Sequence, residues 1–312
     1  MTGQPWPLFS VVIPTYNRAE LLAETLASVF QQRLASFEVL VVDDGSTDHT
    51  PQVLATYGQR LRILTQANRG PGAARNLACQ QAVGRYVAFL DSDDLWFPWT
   101  LEAYAHAIRE HGEPAFLAGQ PAYFQSSSQL ATVAGQPSSS HCFPDYLASG
   151  DEWLWYGASS LVVRTDVLKA VGGFTDRWIN GEDADLTMRL GVAAGFVHVS
   201  SPAMFGYRQH RGSAVSDERR TLEGARHMVR MEQRGQYPGG AERAGQRWRI
   251  VTRHLRPVAL RCLQMGWWTE AWELYLATFS WHCRLGRWRF LAAFPFLFLA
   301  ARLRRPKHGA AS

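Results

Sequence analysis

Between residues 9 and 90, four short apolar runs alternate with three segments of helical character. Residues 9–13, 37–42, 61–64 and 86–90 read as short buried strands, most of them rich in β-branched and aromatic side chains. Residues 19–32 place Leu22, Leu26, Val29 and Phe30 at helical spacing. Residues 50–57 form a short helix with Pro51 near its first turn, and residues 73–82 form a third helix. Connections between parallel strands cross over in one hand, so this order predicts a mostly parallel sheet with helices on both faces.

The pattern loosens afterwards. Residues 114–125 are expected to be extended, and the Ser/Gln/Gly-rich stretch 126–140 to be an exposed loop. Residues 161–163 read as a strand, and 166–170 as a short helix closed by Gly172 and Gly173. A helix over 183–194 should stop at Gly195, with a strand over 196–200. Past about residue 217 the strand signals cease and arginine-rich helical patterns take over, including a helical pair over 263–279 around Gly266. Two regions are therefore expected: an α/β domain over 8–216 and a basic helical region over 217–312.

Charge follows the same division. Residues 1–218 carry 14 Lys and Arg against 22 Asp and Glu, whereas residues 219–312 carry 18 against five. The formal net charge of +5 conceals this asymmetry. An acidic front suits a metal, and a basic rear suits an anionic surface. The four cysteines have no C-x-x-C spacing, so neither a zinc site nor a redox motif is signalled. Scattered thiols fit a reducing, cytoplasmic compartment. The first seven residues lack the charged and apolar regions of a secretory signal.

Chemistry concentrates where strands end. Residues 86–90 run into Asp91-Ser92-Asp93-Asp94. Carboxylates that close repel unless a cation neutralises them, and hard oxygen ligands suit Mg²⁺ or Mn²⁺. A helix N-cap is the bland alternative, although one Asp would serve for that. The first strand leads into Pro14-Thr15-Tyr16-Asn17-Arg18, with no glycine-rich phosphate loop. Tyr16 offers a stacking face for a base, or the segment is simply a turn. Asp43-Asp44-Gly45-Ser46 fits recognition of a pyrimidine N3–H or an ordinary turn equally well. Arg75, one turn into the helix after Asn68-Arg69-Gly70, suits a phosphate or a carboxylate, or a plain surface position.

Together these segments resemble family 2 of the inverting, metal-dependent glycosyltransferases. The resemblance rests on Ser10–Asn17, Val41–Asp48, Asn68–Asn76 and Leu90–Asp94 in this order and spacing, and covers about residues 8–216. It implies a GT-A fold, an α/β architecture whose mostly parallel sheet is flanked by helices, here with a helical C-terminal extension. It implies that Asp44 contacts the nucleobase, with Pro14 and Tyr16 lying against it and Arg75 beside the nucleotide. Asp91 would contact the ribose and Asp93 the metal, Mg²⁺ or Mn²⁺. In Asn180–Leu186 the resemblance places the catalytic base on Asp183, flanked by Glu182 and Asp185. The segment 207–216 resembles the loop that closes over a donor diphosphate, making His210 a metal or phosphate ligand.

The implied reaction is inverting sugar transfer from a nucleotide-sugar donor, UDP- or dTDP-linked, to an acceptor hydroxyl in cell-surface polysaccharide or glycolipid synthesis. The acceptor would be a glycan or lipid-linked, with Trp96, Trp99, Trp153, Trp155, Tyr156 and Trp178 among the aromatics available to stack on sugars. No nucleic-acid partner is expected. A sugar nucleotidyltransferase is disfavoured by the missing glycine-rich loop, and a decayed binding protein by the intact set of acids. Residues 290–301 are nearly continuous in apolar character, broken by Pro295 and flanked by arginines. That run is shorter than the ~20 residues of a membrane span. It suits a peripheral position on an anionic membrane surface, or a place in a helical bundle.

Overall fold

The computed structural model describes residues 6–150, 152, 154, 157–210 and 217–303. The chain divides into two compact units, residues 1–216 and 217–312.

The first unit opens with β1 (Phe9–Thr15), α1 (Ala19–Val29), β2 (Phe37–Asp43), α2 (Thr50–Ala55), β3 (Arg62–Thr65), α3 (Pro71–Gln81) and β4 (Tyr86–Phe89). These elements stand where the apolar pattern predicts them. Next come β5 (Leu95–Trp96), α4 (Thr100–Glu110), β6 (Phe116–Gly119), β7 (Pro121–Phe124) and β8 (Ser139–Phe143). The unit finishes with β9 (Leu161–Arg164), α5 (Thr165–Ala170), α6 (Glu182–Arg189), β10 (Phe196–Ser201) and β11 (Phe205–Arg208).

Eight strands form one sheet in the order β3-β2-β1-β4-β9-β6-β10-β8. The pairs β2–β3, β1–β2, β1–β4 and β6–β10 are parallel, while β9 runs antiparallel to both its neighbours and β8 is an antiparallel edge. β1 is buried along its whole length, because helices cover both sheet faces. Phe9, Val11 and Ile13 join Leu22, Leu26, Val39, Val41 and Tyr86 in one core cluster. Thr15 pairs with Asp43 and Val12 with Phe89, so the carboxyl ends of β1, β2 and β4 finish at one edge. That edge receives the acidic loops.

Three expectations change here. The segment 114–125 is two strands, because β6 joins the large sheet and β7 a small one with β5 and β11. The loop 126–140 holds a short 3₁₀ turn, Ser127–Thr132, and runs into β8. α6 stops at Arg189, five residues before the expected end.

The second unit consists of α7 (Glu218–Gln233), α8 (Ala244–Gln264), α9 (Trp268–Arg284) and α10 (Trp288–Leu303). Gly266, at φ +76°, makes the turn between α8 and α9. Pro295 does not break its helix. Proline leaves the carbonyl four residues earlier without its N–H partner. That carbonyl belongs to Leu291, and the Tyr275 hydroxyl donates to it at 3.0 Å. The Tyr275 ring also stacks on Phe294, with centroids 4.5 Å apart.

His282 gives this unit a pH-dependent weakness. It is buried against Phe290, with ring centroids 4.6 Å apart, and neither ring nitrogen has a hydrogen-bond partner among the described residues. Burial, aided by Arg287 and Arg256, pushes its pKa down to about 4. Between that value and the ordinary ~6.5 the unfolded chain binds a proton that the folded chain does not. Stability is therefore complete above about pH 6.5 and falls as the pH drops toward 4. The melting temperature should fall by several degrees between pH 7.5 and 5, and His282→Phe should flatten part of that slope. An unchanged slope would show that the ring is not held neutral.

Candidate functional site

The first two strands end in loops that brace each other. Asn17, at φ +50°, donates its backbone N–H to the Ser46 hydroxyl at 2.9 Å and accepts from the Thr47 N–H at 2.7 Å. Tyr16 is 44% exposed beside this junction. Pro14 lies inside β1, opposite Val42, with its side chain buried. Asp44 is buried as well. One carboxylate oxygen accepts from the Gln66 side chain at 2.7 Å and the Arg69 N–H at 2.9 Å, and the other accepts from the Gly70 N–H at 2.8 Å. Gly70, at φ +88°, starts α3 directly under the Trp178 ring, where a Cβ would sit 3.0 Å from the indole. Asp44 and Trp178 therefore both meet Gly70, one through its N–H and the other across its Cα.

The three acids after β4 have three different surroundings. Asp91 accepts from Arg75 at 2.6 Å. Arg75 is 3% exposed, and its other terminal nitrogen donates to Glu182 at 2.8 Å. The guanidinium thus spans from the end of β4 to the start of α6, with its face over Phe174. Asp93 meets Arg18 and, at 2.9 Å, the Nε2 of His210. Asp94 is buried, accepting from the Ser159 hydroxyl at 2.6 Å and the Arg208 N–H at 3.0 Å. Burial and the charges of Asp93 and Asp91 raise its pKa well above the usual carboxylate range. Mutual repulsion among these acids is therefore relieved by two arginines and by a carboxyl that favours its proton.

α6 starts at Gly181, at φ +94°, followed by Glu182 and Asp183. One Asp183 oxygen accepts from the Ala184 N–H at 2.8 Å. A Cβ built on Gly157 would lie 3.7 Å from the other, so glycine there keeps the approach to this oxygen open. Burial and the charge of Glu182 push the Asp183 pKa up to about 7, while Arg75 opposes the rise. A carboxylate near 7 is poised to exchange a proton at neutral pH. Asp185 is buried and paired with Arg189 at 2.8 Å, so it serves the helix itself.

Were a divalent ion to bind here, the Asp93 carboxylate and the His210 imidazole would be its protein donors. Oxygen with one nitrogen suits Mn²⁺ or Mg²⁺ when a substrate diphosphate supplies further oxygens. Arg18 contacts the same Asp93 oxygen, so an entering cation competes with a guanidinium. No cluster of three or more His, Cys, Asp or Glu with metal-binding geometry occurs among the described residues. Residues 211–216 of the 207–216 segment expected to close over a diphosphate, and the aromatics Trp153, Trp155 and Tyr156, lie outside the described residues.

Sequence reasoning missed three participants. Arg18 adjoins a recognised motif and was legible as a cation beside it. Ser159, which accepts from the Asp91 N–H at 3.0 Å while donating to Asp94, carries no sequence signal. Arg208 reaches Glu24 at 2.7 Å and the Asp93 carbonyl at 2.8 Å only because β11 joins the small sheet.

The family model for glycosyl transferase family 2 matches residues 10–146. Over this region the chain is similar to glycosyltransferase family 2. A putative teichuronic acid biosynthesis glycosyltransferase, TuaG, of Bacillus subtilis is 36% identical over 137 residues, 43% of this chain and 54% of that one. WfgD of Escherichia coli, a UDP-Glc:α-D-GlcNAc-diphosphoundecaprenol β-1,3-glucosyltransferase, is 41% identical over 97 residues, 30% of this chain and 38% of that one. Among solved structures, residues 1–349 of Staphylococcus aureus TarS superpose with a TM-score of 0.65 at 25% identity. The match covers 86% of this chain and 80% of TarS 1–349. The architecture is that of the GT-A fold. The chain spans only part of its curated relatives, from 15% of a Rickettsia bellii glycosyltransferase to 54% of TuaG.

Proposed function

We propose that this protein transfers a sugar, with inversion, from a nucleotide-sugar donor to an acceptor hydroxyl in cell-surface polysaccharide or glycolipid synthesis. The observation that carries the reading is the Arg75 bridge. It joins Asp91, at the strand end, to Glu182, the neighbour of Asp183, at 2.6 and 2.8 Å. One guanidinium thereby ties a nucleotide-side acid to the helix that presents the base. Support for a uridine donor and a lipid-diphosphate acceptor comes from the substrates in the name of WfgD.

In this reading the base lies against exposed Tyr16, and Asp44 acts at the base by holding the Gln66 side chain and the 69–70 backbone, and through its own carboxylate. Asp91 meets the ribose, and Arg75 fixes Asp91 in place. Asp183 takes the proton from the acceptor hydroxyl as that oxygen attacks the anomeric carbon. The bond to the nucleoside diphosphate breaks on the opposite face, so configuration inverts. A divalent ion held by Asp93 and His210 would supply charge stabilisation to the leaving diphosphate.

Calorimetric titration with UDP and dTDP, with and without Mn²⁺, tests the donor site directly. Binding should tighten at least about tenfold with the metal, a gain that Asp93→Ala should abolish. Equal affinity of wild type and Asp93→Ala in Mn²⁺ would remove Asp93 from metal binding. Once a donor is found, the anomeric configuration of the product by NMR decides the mechanism. Retention would overturn the single-displacement reading.

A further inference from the structure

α10 is apolar on every side, yet only half of it is covered. Leu291 and Phe294 on its inner face are buried within the second unit. On the other face Trp288 is 62% exposed, Phe296 73%, Leu299 57% and Leu303 84%. Steps of eight, three and four residues put these side chains in one stripe. A helix that is apolar all round belongs in a core or in lipid. Exposed apolar area of this extent marks an interaction surface.

The charge around the stripe has one sign. Arg284, Arg289 and Arg302 are exposed, and no Asp or Glu follows Glu273. Arg302 also lies over the Phe298 ring. A second copy seated on this stripe would bring two sets of arginines together with no acid from residues 274–312 to pair them. An anionic surface pairs them all. The helix has 16 residues, about 24 Å at the ordinary rise, against a hydrocarbon core of about 30 Å. No helix among the described residues is long and apolar enough to cross a membrane.

We propose that α10 lies in the plane of an anionic lipid bilayer. Its outer stripe sits at the acyl boundary, and its flanking arginines meet headgroup phosphates. The covered inner face takes the place of the polar face that an isolated interfacial helix needs. This goes beyond sugar transfer, and its test uses neither donor nor metal, so the two readings fail separately.

The full chain is sedimented with vesicles of phosphatidylcholine alone, and with vesicles containing about one-third phosphatidylglycerol. Partitioning should favour the anionic vesicles at least about tenfold, and should weaken as salt rises from about 0.1 to 0.5 M. Phe296→Ser/Leu299→Ser/Leu303→Ser should lose binding at least about tenfold, with helix content and melting temperature preserved because these side chains are exposed. Arg284→Gln/Arg289→Gln/Arg302→Gln should abolish the preference for anionic lipid. Failure of the wild type to sediment with either vesicle would overturn the proposal. So would a lipid-free dimer, seen by sedimentation velocity, that the serine variant dissociates.

Discussion

Asp183→Asn is expected to lower kcat by about 10²–10⁴-fold while leaving donor affinity within about twofold, because the amide keeps the shape of the carboxylate but cannot accept the proton. The structure adds a pH signature. With its pKa pushed up to about 7, Asp183 is protonated below that pH and competent above it. Turnover of the wild type should therefore rise through pH 6–8 and level off. Glu182→Gln removes the neighbouring negative charge and should move the inflection to lower pH. An Asp183→Asn enzyme with full turnover would transfer the role of base elsewhere. A rate profile flat across pH 6–8 in the wild type would separate the rate-limiting step from this proton.

Much of the fold was legible because it rests on local periodicity. β1, α1, β2, α2, β3, α3 and β4 follow from apolar spacing and from residues that start or stop helices. The antiparallel insertion of β9 between β4 and β6 was not legible, since pairing partners depend on distant segments. The two-residue β5 and four-residue β11 carry too few side chains to show a period. The site divides along the same line. Asp91, Asp93, Asp44 and Asp183 announce themselves through motifs and all stand at strand or helix ends in the first unit. How each is occupied was hidden. Arg75 is turned inward to two carboxylates, and Asp44 is bound to the Gln66 side chain and the 69–70 backbone, because burial sets those partners and burial is a property of the assembled sheet. Pro295 shows the same limit: whether a proline interrupts a helix depends on a hydroxyl 16 residues from the orphaned Leu291 carbonyl supplying the missing donor.

Arg75→Met is expected to be the most damaging single change to stability. Removing one partner from a buried ion pair leaves charge without compensation, at a typical cost of 3–5 kcal/mol, about. Glu182 is nearly as buried as Arg75, but the Asp91 side chain is a third exposed, so the lower end, about 3 kcal/mol, applies. For a unit of this size that corresponds to a fall in melting temperature of roughly 6–12 °C. Arg75→Lys should recover only part of the loss, because one ammonium cannot hold two carboxylates in the fixed geometry of the guanidinium fork. The decisive variant is Arg75→Met/Asp91→Asn/Glu182→Gln, which removes all three charges. It should regain most of the stability, since an uncharged cluster has no unpaired charge to bury. Turnover should stay low, because the tie between the end of β4 and the start of α6 is gone and the ribose contact proposed for Asp91 is weakened with it. Stability would then return without activity. If Arg75→Met alone lowered the melting temperature by less than about 2 °C, the bridge would contribute little in solution. The positioning role assigned to Arg75 would then have to be abandoned.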